Sequence, residues 1–178
     1  MTSTTMVLVV VLSIWMIVPV AMADSGFIST TCNKTHNTNC VAVLTANPDS
    51  ADASTVSDLA GVALDLAVAA ASDAGAVIND RSSRYGGTPE GDALRVCSGA
   101  YFDAANDLDI DARDSLGSGD YATASRLVSG AGGAADTCKA AFSAAKVSSV
   151  MADINQKMKD RCNIARDLID RLITPNPK

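Results

Sequence analysis

The sequence predicts an all-α protein, an up-down-up-down four-helix bundle stapled by disulfides. Three observations carry this reading. Four long segments repeat apolar residues at steps of three and four, the period of one helix face. Short breaks bearing Gly, Pro or Asp separate them, and short connections force antiparallel neighbours. Beyond the apolar run at its start, no stretch alternates apolar with polar residues, or concentrates β-branched ones, as a strand would.

The chain has 178 residues and is 48% hydrophobic, enough for one domain with its own core. Its start reads as a leader. Met1–Thr5 is polar, Met6–Val20 is almost wholly apolar, and Ala21-Met22-Ala23 supplies the small residues of a cleavage site before Asp24. Residues 1–23 are therefore expected to be a signal peptide, and residues 24–178 the mature domain. The apolar run of 15 residues is shorter than the ~20 of a spanning helix. No later run is expected to cross a bilayer. The leader carries no charge, so the net charge of -6 belongs to the mature domain. Nucleic acid and anionic membranes are thereby disfavoured as partners, since both require basic patches.

Five cysteines in an exported chain suggest two bridges and one free thiol. Cys32 and Cys40 lie 8 residues apart with polar residues between them, so a local bridge is the simplest pairing. Loop-closure entropy puts its contribution at about 2.6 kcal/mol, against about 3.9 kcal/mol for a bridge from Cys97 to Cys138. Within the small loop, Asn33-Lys34-Thr35 is an acceptor sequon for N-glycosylation.

Asn47-Pro48 ends the N-terminal piece, residues 24–50, and the bundle is expected over 54–174. Thr55-Val56-Ser57-Asp58 can form a capping box. The helix that follows carries Leu59, Ala63, Leu66, Ala70, Ala74 and Val77 on one face, to about Asp80. Tyr85-Gly86-Gly87 breaks it. Thr88-Pro89-Glu90 then gives the preferred order of N-cap, proline in the first helical position and acid in the first turn.

The second helix carries Leu94, Cys97, Tyr101, Ala104, Leu108 and Ala112 on one stripe. The break Gly117-Ser118-Gly119-Asp120 follows, with Gly117 placed to cap one helix and Asp120 to start the next. Cys97 stands 21 residues before Ser118 and Cys138 stands 20 after it, so an antiparallel pair brings them to one height. The third helix carries Ala124, Leu127, Ala131, Ala134, Cys138, Ala141 and Ala145. Both cysteines fall on the apolar stripes, which supports their pairing independently. Gly130-Ala131-Gly132-Gly133 interrupts the third helix, and each glycine costs about 1 kcal/mol relative to alanine, so a bend or fraying is expected there. The last helix, Ala152 to Ile173, turns Met158, Cys162, Ala165, Leu168, Ile169 and Leu172 inward, before Thr174-Pro175 stops it. The alanine-rich stripes predict close helix approach.

Catalytic chemistry is hard to place on this chain. His36 is the only histidine and has neither a nucleophile nor an orienting acid nearby in sequence. With four cysteines used in bridges, no zinc ligand set remains, and no metal or cofactor is expected. Asp107-Leu108-Asp109-Ile110-Asp111 opens like a calcium loop, but its sixth position is Ala112 and its twelfth Ser118. The glycine cluster at 130–133 follows no strand, unlike a phosphate-binding turn. Cys162, left unpaired on an inward stripe, reads as a small buried apolar side chain. Binding is the remaining class of function, and a rigid stapled helix pair suits it.

These same residues resemble a known family, the plant inhibitors of pectin methylesterase and of acid invertase. The resemblance rests on the leader, Cys32 and Cys40 near the new N-terminus, Cys97, Ser118-Gly119-Asp120-Tyr121, Asp136-Thr137-Cys138, and Cys162 as an additional free thiol. It implies a four-helix bundle with an N-terminal helical hairpin extension, and the bridges Cys32–Cys40 and Cys97–Cys138. It also implies an apoplastic location and a non-catalytic, one-to-one complex in which bundle helices cover the substrate cleft of the target. Invertase inhibitors of the family direct a Pro-Lys-Phe motif at their target. Here Phe142 follows Ala141 instead, which favours pectin methylesterase as the partner over acid invertase. A non-inhibitory apoplastic protein of the same fold is the reading from a different class. Asp103, Asn106, Asp107 and Asp114, with Thr123 and Arg126 on the partner helix, point away from the stripes. They are the expected target contacts, weakened when the acids change ionisation.

Overall fold

A computed structural model describes residues 25–173, all of whose regular elements are helical. The expected leader and the Thr174-Pro175 stop lie outside the described residues. Two short helices, α1 (Ser25–Cys32) and α2 (Cys40–Thr45), form a hairpin, and a single 3₁₀ stretch over Pro48–Asp52 leads into the bundle. The bundle is α3 (Val56–Ser82), a rod over 89–118, α6 (Tyr121–Ala144) and α7 (Ala152–Ile173). The rod comprises α4 (Pro89–Asn106), a π-helical turn over Asp107–Ala112 and α5 (Arg113–Ser118). In order around the bundle, α3 packs on α4, α4 on α6, α6 on α7 and α7 back on α3.

Local chemistry fixes the helix ends. The capping box at Thr55 is complete, its hydroxyl accepting from the Asp58 N–H at 3.1 Å while Asp58 accepts from the Thr55 N–H at 2.8 Å. Thr88 caps α4, with Pro89 in the first turn and its hydroxyl accepting from the Gly91 N–H at 3.1 Å. A Cβ on Gly91 would stand 2.1 Å from the Tyr85 carbonyl oxygen, so only glycine lets the chain turn this tightly. The rod runs through Gly117 and ends at Gly119, at φ +82°, correcting the expected cap at Gly117. The Gly119 N–H donates to the Leu116 carbonyl at 3.2 Å and the Asp120 N–H to that of Ser115 at 2.9 Å, the paired bonds of a Schellman ending. That bond pattern needs its left-handed residue at 119.

The core is rich in alanine, with Tyr101, Phe142, Leu64, Ile78, Leu94, Leu108 and Met158 among its large buried members. All six stripe residues expected on the second helix are buried. On α3 the buried band is wider than expected and includes Ala60, Leu64, Ala67, Ala71 and Ile78, leaving Leu66 and Val77 half-buried at its rim. On α6, Val128, Ala135 and Phe142 are buried while Leu127, Ala141 and Ala145 lie at the edge. Both helices sit between two neighbours, so a stripe read for one contact is too narrow. By length and composition α3 could also cross a membrane, contrary to the expectation that no later run would. Its alanines raise the hydropathy, but its buried band packs on α4 and α7, and its exposed Asp65 and Asp73 pair with Arg113 of the rod and Lys157 of α7.

Helix α6 is continuous through Gly130-Ala131-Gly132-Gly133, so the expected fraying is absent. The irregularity lies in the rod opposite, at the π turn. At Gly132 a Cβ would come within 3.2 Å of the Cys162 Cβ, so the glycine permits close contact of α6 with α7.

Two bridges staple the structure. Cys32–Cys40 closes the hairpin with Cα atoms 5.5 Å apart, and Cys97–Cys138 joins α4 to α6 at 4.5 Å. The hairpin is held to α7 by polar contacts. The His36 N–H donates to Asp167 at 2.9 Å, Asn39 to Asp160 at 3.2 Å, and Arg171 to the Thr31 carbonyl at 2.8 Å.

Candidate functional site

The rod and α6 leave between them a groove of about 520 Å³. Its smoothness follows from the sequence. Gly99 on one side and Gly130 and Gly133 on the other have nothing within 4 Å of where a Cβ would stand, so bare backbone faces the opening. Ala100, Ala104, Ala131 and Ala134 continue the lining, and Val96 and Thr137 edge it. Two of the expected contact residues, Asp103 and Asp107, lie here together.

The other four lie elsewhere. Asn106 and Asp114 are exposed on the rod outside the groove. Thr123 is half-buried in the first turn of α6, where its N–H donates to Asp120 at 3.1 Å. That carboxyl is held below the usual carboxylate range, first by the Thr123 hydroxyl, then by its N–H, with Arg126 adding a smaller attraction. Asp120 and Thr123 thus have a structural task at the helix start.

Charge is divided along the chain. The rod carries seven acidic and two basic residues, whereas residues 121–173 carry five acidic and eight basic ones. Both rod arginines are engaged, Arg95 with Asp92 at 2.7 Å and Arg113 with Asp65 at 2.6 Å and Asp109 at 3.1 Å. The exposed face of the rod is therefore acidic. Phe102, Ile110 and Val96 stand on it 66%, 56% and 48% exposed. No stripe or motif in the sequence marks these apolar side chains, although Phe102 lies off the buried stripe, directly after Tyr101.

Among the described residues no group of three or more His, Cys, Asp or Glu is arranged to hold a metal. Asn33 is exposed at the hairpin turn, its sequon partner Thr35 donating to the Cys32 carbonyl at 2.8 Å. Cys162 is 2% exposed, and burial pushes its thiol up to about 12, with Arg166 opposing only in part. It is protonated at neutral pH and unsuited to nucleophilic work. Burial likewise raises the Tyr101 phenol, whose hydroxyl donates to Asn155 on α7 at 2.8 Å.

Residues 26–169 match the family described as plant invertase/pectin methylesterase inhibitor. The chain belongs to that family. A relative within it, pectinesterase inhibitor 28 of Oryza sativa subsp. japonica, is 31% identical over 176 residues, covering 90% of this chain and 75% of the relative. Among solved structures, the fold resembles a mutant form of a pectin methylesterase inhibitor from Arabidopsis, with a TM-score of 0.67 at 26% identity over 80% of this chain and 95% of that one. A second inhibitor structure from Arabidopsis thaliana matches with a TM-score of 0.62, also at 26% identity, over 86% of this chain and 99% of that one. The family is one of proteinaceous inhibitors and not of enzymes, and its four-helix bundle is the fold seen here.

Proposed function

We propose that this protein is a secreted inhibitor of a pectin methylesterase and acts by laying the face formed by the rod and α6 over the substrate cleft of its target, one inhibitor to one enzyme. The observation that carries the reading is the acidic, glycine-floored groove. A surface without side chains at Gly99, Gly130 and Gly133 admits close approach, and Asp103 and Asp107 offer acceptors to basic groups of a partner. Residues 1–23 serve as the leader in this reading, and both bridges suit an oxidising cell-wall compartment. Glycosylation at Asn33 is compatible with it, because the hairpin turn lies on α7, away from the groove.

The test is a titration of the oxidised protein, residues 24–178, against pectin methylesterase and acid invertase separately. Saturable inhibition of the first alone is expected. Inhibition of invertase alone would replace the target, and no effect on either would favour a non-inhibitory apoplastic protein of this fold. Replacing Asp103 and Asp107 together with Ala is expected to weaken inhibition at low ionic strength and to flatten its salt dependence. Unchanged titration curves would remove these acids from the contact.

A further inference from the structure

The exposed apolar side chains of the rod have no structural task, and the π turn explains how two of them share one face. Phe102 and Ile110 are separated by eight residues. In a regular helix that spacing overshoots two turns by most of a residue. Ile110 lies inside the π-helical turn Asp107–Ala112, whose residues each rotate by less than the ~100° of a regular helix, which turns Ile110 back toward the face of Phe102. Phe102 is 66% and Ile110 56% exposed, and Asp103 leads from Phe102 around the rod to the groove, about 100° away.

We infer that Phe102 and Ile110 are the apolar anchors of the inhibitor, seated in an apolar recess of the target enzyme that is edged by lysine or arginine. The inference rests on the reading that the protein inhibits pectin methylesterase, and extends the contact from the groove around the outer face of the rod. Single exposed apolar residues are ordinary on any surface. Two on one face of a rigid rod, one of them an aromatic ring with only two side-chain torsions to freeze, suit the apolar core of an interface.

Charge selects the occupant. The rod's seven acids face two arginines that are already paired, so the anchors stand in a negative field. A second copy meeting it rod to rod would present the same acids and be repelled, as would an anionic membrane. A basic-rimmed enzyme surface gains both burial of the anchors and complementary charge.

The experiment compares the oxidised protein with Phe102→Ser, Ile110→Ser and the double variant, in inhibition titrations and in sedimentation, with Val41→Ser as an exposed control on the hairpin. Both positions are exposed, so all variants are expected to fold and melt like the parent. The double variant is expected to weaken inhibition of pectin methylesterase by tenfold or more at both low and high salt, while Val41→Ser leaves it unchanged. Equal inhibition by parent and double variant would overturn the anchors and leave the inhibitor reading intact. A parent that inhibits no pectin methylesterase would overturn both. A concentration-dependent dimer abolished by the double variant, with inhibition unchanged, would assign this face to self-association instead.

Discussion

Exchanging Gly130, Gly132 and Gly133 for alanine one at a time separates three roles that lie within four residues. At Gly130 and Gly133 an added methyl meets nothing within 4 Å. Each is expected to gain most of the ~1 kcal/mol that separates the two residues in a helix interior. Together they should raise Tm by roughly 3–6 °C in a domain of this size. At Gly132 the same gain is opposed by the Cys162 Cβ, 3.2 Å from the new methyl. Overpacking of this kind costs about 1–3 kcal/mol, so Gly132→Ala should end between neutral and about 2 kcal/mol less stable. A companion Cys162→Ala change should not rescue it, because alanine keeps the Cβ that collides. Thermal unfolding of the oxidised protein followed by circular dichroism measures all five variants. If Gly132→Ala is stabilised as much as Gly130→Ala, the close approach of α6 and α7 is not what holds that glycine in place. Inhibition assays on the Gly130→Ala, Gly133→Ala pair complete the test. Filling the groove is expected to weaken inhibition even as stability rises, and stability and inhibition rising together would refute the role given to the bare floor.

Other expectations follow from named contacts. Cys162 should resist alkylation in the native state and react once in denaturant without reductant, which mass measurement reads directly; two or more free thiols would contradict the bridge pattern. Lys146, a non-glycine at φ 55°, ends α6 with the Lys146 N–H on the Ser143 carbonyl at 3.1 Å and the Val147 N–H on that of Phe142 at 3.2 Å. Lys146→Gly should therefore stabilise by about 0.5–1 kcal/mol in denaturant unfolding, and a loss would show that the lysine side chain matters there. Two carboxyls are held below the usual range, Asp58 mainly by the backbone N–H groups of Ser54 and Thr55, and Asp120 by Thr123. Their stabilisation is fully present above the unfolded value of about 3.9 and is lost as pH falls through the lower folded values. Tm should thus fall on acidification below about pH 4, and less steeply in Asp58→Asn.

The bundle was legible because each of its helices carries an apolar face and three of the four carry a start signal. Thr55, Thr88 and Asp120 are oxygen-bearing N-caps whose side chains each accept from a backbone N–H three residues on, and local rules of this kind survive packing. The helix endings were less legible. Gly117 and Gly119 are equally plausible caps by type, and only the bonds to Leu116 and Ser115 choose between them. Lys146 adopts a left-handed conformation that no residue type announced. The π turn did leave a trace, since Ala104, Leu108 and Ala112 follow one another at steps of four with no step of three between. A regular helix would rotate such a series away from the core, and a wider turn keeps it inward. Of the expected contacts, Asp103 and Asp107 share the groove because both lie on the α6 side of the rod. Thr123 points outward in a helical projection, yet lies at a helix start where Asp120 claims it.

The spacing of the five thiols also bears on how the chain can oxidise while it is being made. Synthesis runs from the N-terminus, so Cys32 and Cys40 appear first and have only each other to react with. Cys97 and Cys138 follow as the next pair in order of synthesis. Cys162 arrives last, and in the folded chain α7 holds it buried against Gly132, out of reach of exchange with either bridge. A hairpin held by Asp160, Asp167 and Arg171 has to await that same helix, so the oldest part of the chain locks into place only when the youngest has folded.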